Sequence, residues 1–91
     1  MYLQGNLQAV FDALYHMGVI DPVLDMDWSQ VMDELPYHYE QFSQVVAVAN
    51  RNLSVDELVR ELNQFDEMSL SYLAIEVAKE LADFHSRETL H

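Results

Sequence analysis

The stretch SLSYLAIEVAKELADF, residues 69–84, decides the fold. Leu70, Leu73, Ala74, Val77, Leu81 and Phe84 recur at three- and four-residue spacings, the stripe of an amphipathic helix rather than the alternation of a strand. Ile75, Ala78 and Ala82 widen that stripe, and the helix is expected to begin near Ser69. Tyr72 falls nearly opposite the stripe, near Glu76, Lys79 and Asp83, and reads either as a surface contact residue or as packed at a helix–helix edge.

Towards the N-terminus, Ser54 and Glu57 have capping-box spacing, and Val55, Leu58, Val59, Leu62 and Phe65 supply the apolar face behind them. Tyr39, Phe42, Val45, Val46 and Ala49 form another stripe, ending near Asn50-Arg51-Asn52. The first helix should run from Asn6, a good N-cap, to about Met17, with Gly18 in the left-handed position that closes many helices. Its stripe is Leu7, Val10, Phe11 and Leu14, extended along one seam by Leu3 and Met17.

The segment 19–35 reads less cleanly. Asp21-Pro22 resembles an N-cap followed by a first helical residue, and Asp27 with Gln30 offers a later start. We expect a turn or single helical turn over 21–26 and a short helix from Trp28 to Leu35, with Trp28, Val31, Met32 and Leu35 on its apolar face. One helix from Pro22 to Leu35 is the alternative. Pro36 ends the element, because the residue before a proline is driven from helical geometry, and it can also open the next helix. Only two glycines and two prolines interrupt the chain. The expected fold is therefore all-α: a compact antiparallel bundle of four main helices plus one short helix across one end, with the tail from Ser86 to His91 frayed.

Ninety-one residues fit one domain, and about half of them are apolar, well above what a disordered acidic tail carries. Sixteen acids against four basic residues give a formal charge of −12. The first 50 residues hold seven carboxylates and neither lysine nor arginine. Phosphate contacts need clustered basic side chains, so direct nucleic-acid binding is disfavoured. An anionic lipid surface is disfavoured for the same reason. The N-terminus lacks the basic region of a secretory signal, and no apolar run approaches a membrane span. A cytoplasmic protein is expected.

With no cysteine, thiolate catalysis, disulfides and sulfur-ligated metals are all excluded. Read as a calcium loop from Asp25, the acidic segment has Gln30 where a glycine is needed and Pro36 where a bidentate glutamate is needed. Only Glu88 and His91 show the glutamate–histidine spacing of di-iron bundles, and no two histidines share a helical face. Carboxylate pairs such as Glu57 with Glu61 or Glu76 with Glu80 need a cleft and divergent environments to act as acid and base. They read as a solvated face. No catalytic residue, cofactor or metal ligand is assigned, and an enzyme is not expected.

What remains is a set of aromatic and acidic residues off the expected core: Asp33, Glu34, Tyr37, His38, Glu40 and Tyr72. Tyrosine offers rigid contact area with a polar tip, and acids around it steer a basic partner. These six are the candidate partner-binding residues. In size, acidity and helix count the chain is of the same physical type as small bacterial inhibitors and immunity proteins that block basic nuclease toxins. None of their characteristic motifs is present. The expected function is a non-enzymatic helical interaction module for a protein with an electropositive surface, in an inhibitor, immunity-type or adaptor role. One alternative is a homodimer or small-assembly subunit sharing the Leu3, Leu7, Val10, Leu14 and Met17 seam. Another is a nucleic-acid mimic that blocks a nucleic-acid-binding protein.

Overall fold

The computed structural model describes Leu3 and residues 6–89, with side chains described as far as Asp83. Its elements are α1 (Leu7–His16), α2 (Ile20–Leu24), α3 (Trp28–Asp33), a 3-10 turn (Leu35–His38), α4 (Tyr39–Ala49), α5 (Val55–Leu62) and α6 (Glu67–Thr89). The protein is all-α, with no strand among the described residues.

Local signals place most of the boundaries. Asn6 caps α1 by accepting a hydrogen bond from the Ala9 amide at 3.2 Å. Gly18, at φ +76°, turns the chain after it, and the Gly18 and Val19 amides donate to the Tyr15 and Leu14 carbonyls. Ser54 and Glu57 form the complete capping box of α5. Asn52 holds a second left-handed backbone among the described residues, at φ 58°, in the α4–α5 connection, a conformation asparagine tolerates better than most residues.

Between α1 and α4 the structure has the expected helical turn followed by a short helix from Trp28, with boundaries that differ in detail. Val19 already has helical angles after the Gly18 turn, so α2 starts at Ile20 and Asp21 sits inside its first turn instead of capping it. Pro22 follows there without penalty, because early helical amides lack intrahelical partners anyway. The Asp27 carboxylate accepts from the Ser29 and Gln30 amides and starts α3 afresh, which breaks any continuous helix from Pro22 to Leu35. α3 ends at Asp33, and Pro36 lies within the 3-10 turn. The expected helical turn over 21–26 is thus α2, and the expected short helix from Trp28 is α3, which stops two residues short of Leu35.

α1 and α4 each pack against both α5 and α6, while α2 and α3 lie on α6. Four helices therefore surround α6. Val10, Leu14, Phe42, Val45, Val46, Leu58, Leu62, Leu73 and Val77 fill the shared core. The seam on α1 faces this core. Val10 and Leu14 are fully buried within the chain, Leu3 and Met17 pack against the same cluster, and Leu7 is partly buried. Tyr39, expected in the α4 stripe, is 52% exposed. It is the first residue of α4, where the helix has only just left the 3-10 turn.

α6 opens two residues earlier than expected, because Asp66 and not a later residue supplies the cap. Its carboxylate accepts from the Ser69 amide at 2.9 Å, and its carbonyl accepts from the Leu70 amide. The helix continues beyond Ser86 to Thr89; residues 90 and 91, and the expected core contact of Phe84, lie outside the described residues. The Ser69 amide, and after it the Ser69 hydroxyl, hold the Asp66 carboxyl below its ordinary 3.8, with a small further contribution from His38. Asp66→Ala is expected to lower stability by about 1 kcal/mol in urea unfolding at neutral pH. Because the folded-state value is depressed, this contribution is complete above the ordinary carboxyl range and disappears as pH falls through the lower folded value. Wild type and variant should converge in strong acid.

Candidate protein-interaction surface

The segment 20–40 crosses α2, α3, the 3-10 turn and the start of α4 without a lysine or arginine. Asp21, Asp25, Asp27, Asp33, Glu34 and Glu40 all lie exposed along it. Helix starts and turns favour such residues, since carboxylates cap free amides and sit well near positive helix ends. α2 is anchored below by buried Ile20 and Val23, whereas α3 has no fully buried residue. Trp28 joins the two: its indole Nε1–H donates to the Val23 carbonyl at 2.8 Å.

Of the six predicted residues, Asp33, Glu34, Tyr37 and Glu40 are exposed, and Tyr37 is 84% exposed where the 3-10 turn carries it outward. His38 is half-buried. Tyr72 is a correction. It is 1% exposed and ranks first in size among the fully buried side chains. The helical period placed it opposite the core, but α2 and α3 cover that second side of α6, and Tyr72 through Ile75 are buried in succession. Its ring lies edge-on to Phe42 at 6.2 Å and tilted against His38 at 6.1 Å. Burial, and after it the negative charge of Glu34, push its phenol above the ordinary 10.0. Tyr72 therefore supports the predicted surface from beneath, next to Glu34 and His38, rather than forming part of it.

A feature without sequence warning opens beside this residue. A cleft of about 530 Å³ lies between α3 and the first turns of α6, with Met26, Val31, Met68 and Tyr72 as its apolar lining and Asp27, Glu34 and Glu67 as its acids. A second hollow of about 500 Å³ adjoins it across Met26, Glu67 and Ser71 and extends towards Met17, Val19 and Phe65. Met26 and Met68 are 37% and 43% exposed. Both stand outside every predicted stripe, and that was the available signal.

Among the described residues, no three histidine, aspartate or glutamate side chains gather where they would hold a metal ion. No helix among them is long and apolar enough to cross a membrane. Comparison of the chain with protein-family models, curated proteins and solved structures finds no match.

Proposed function

We propose that this protein is a non-enzymatic, cytoplasmic interaction module that binds a protein with an electropositive surface, as an inhibitor, immunity-type protein or adaptor. The observation that carries this reading is the run over 20–40: exposed carboxylates throughout, Tyr37 and Tyr39 exposed among them, and no lysine or arginine to neutralise the field. A field of one sign raises encounter rates with an oppositely charged partner, while rigid aromatic area lengthens the stay. The tyrosines favour protein contact over imitation of a phosphate array, because phosphates present no apolar surface. Asp33, Glu34, Tyr37, His38 and Glu40 supply the contact, and Tyr72 sets the position of His38.

The test begins with the full chain immobilised at low salt to capture its partner from native lysate. Association with the captured protein should slow by roughly tenfold or more between low and high salt. Joint replacement of Asp33→Asn, Glu34→Gln and Glu40→Gln should slow it at low salt to a comparable degree, and Tyr37→Ala should hasten dissociation instead. A rate indifferent to both salt and neutralisation would overturn the electrostatic reading.

A further inference from the structure

The geometry points to the cleft between α3 and α6 as the docking site for an amphipathic helix that carries apolar side chains on one face and lysine or arginine along its flanks. This rests on the proposed function and assigns that function its seat. The occupant's chemistry follows from the lining. Met26, Val31 and Met68 present apolar side chains, the two methionines adaptable in shape, in a cleft whose acids are Asp27, Glu34 and Glu67 and whose lining includes no lysine or arginine. Methionine adapts its shape to different aliphatic and aromatic groups, which suits insertion of an apolar anchor. The acids lie where they meet cationic flanks once that anchor is seated, and they repel an anionic segment.

A helical occupant follows from the surrounding fold. No strand edge exists among the described residues, so a partner gains nothing by adding a strand. Recognition must come from side chains inserted between helices, the mode in which anchors at helical spacing enter successive depressions. Two hollows meet here across Met26, Glu67 and Ser71, so consecutive anchors from one partner helix have a place each. Tyr72 and Glu34 line the same cleft, so a cation paired to Glu34 would lie in the cleft together with that ring.

The experiment uses the full chain labelled at its methionine methyl groups and a synthetic peptide with leucine along one helical stripe and lysine elsewhere. A counterpart with glutamate for lysine serves as control. The lysine peptide should shift the Met26 and Met68 methyl signals, and the glutamate peptide should not. Met68→Lys should weaken binding by roughly tenfold or more, since a charge then occupies an apolar anchor point. Glu34→Lys, at an exposed position, gives a second variant should the first disturb folding, with the same expected loss. Binding of the lysine peptide with both methyl signals unmoved, or unchanged in both variants, overturns the cleft while leaving the acidic-surface reading intact. Equal binding of the glutamate peptide in the cleft overturns the charge complementarity instead. Absence of any shift with the lysine peptide overturns the cleft outright.

Discussion

Tyr72→Ala should cost the fold about 3–5 kcal/mol, the loss expected when a large buried aromatic is cut to a methyl group. The ring is 1% exposed, packs edge-on to Phe42 and meets His38, so its removal leaves a void beside the 3-10 turn and α4. In a domain of this size, that is a large share of the whole stability. Tyr72→Phe keeps the ring and should cost only about 1 kcal/mol or less at neutral pH. The two variants separate packing from the hydroxyl, and chemical unfolding followed by circular dichroism distinguishes them. A surface tyrosine would give a small effect in both.

The phenol adds a dependence on alkaline pH. Its folded-state value lies above the ordinary 10.0, through burial first and Glu34 second, so the folded chain resists losing that proton more than the unfolded chain does. The sign follows directly: stability is complete below the ordinary value and declines as pH rises past it towards the folded value. The difference between wild type and Tyr72→Phe isolates this contribution from every other titrating group. That difference should change above pH 10 and stay flat below it.

Trp28→Ala is the second large effect, at about 2–3 kcal/mol, below the full cost of truncating a buried tryptophan because the indole is only partly covered. The ring packs against the core, and its N–H holds the Val23 carbonyl at the end of α2. Trp28→Phe retains much of the packing and loses the hydrogen bond, and should cost about 1 kcal/mol. The Val23 carbonyl keeps the Met26 amide as a donor at 3.1 Å, which limits the loss. Circular dichroism is again the measurement for stability, since both variants remove the only tryptophan. Amide exchange over 20–34 should accelerate in Trp28→Ala more than exchange over α5.

What could be read from the sequence was local in origin. Asn6, Gly18, Asp27 and the Ser54–Glu57 pair mark helix ends through bonds within a few residues, and the structure contains each of those bonds. The stripes on α4 and α5 also survive, with Phe42, Val45, Val46, Leu58 and Leu62 buried. Tyr72 failed for a non-local reason. A stripe records one buried face, and α6 has a second, covered by elements more than 30 positions away in the chain. Asp21 failed because Gly18 and Val19 had already set the helical course before it. The cleft left almost no imprint on the sequence, since two methionines outside the stripes do not reveal that they line one cleft.

That α3 contributes no fully buried side chain has one more consequence. Ser29, Gln30, Asp33, Glu34, Pro36 and Tyr37 lie exposed between Trp28, Val31, Met32 and Leu35, which pack against the core, so mutation at the exposed positions can retune partner choice while the rest of the chain keeps folding as before. Selection acting on those exposed positions can diversify recognition rapidly over an unchanged interior.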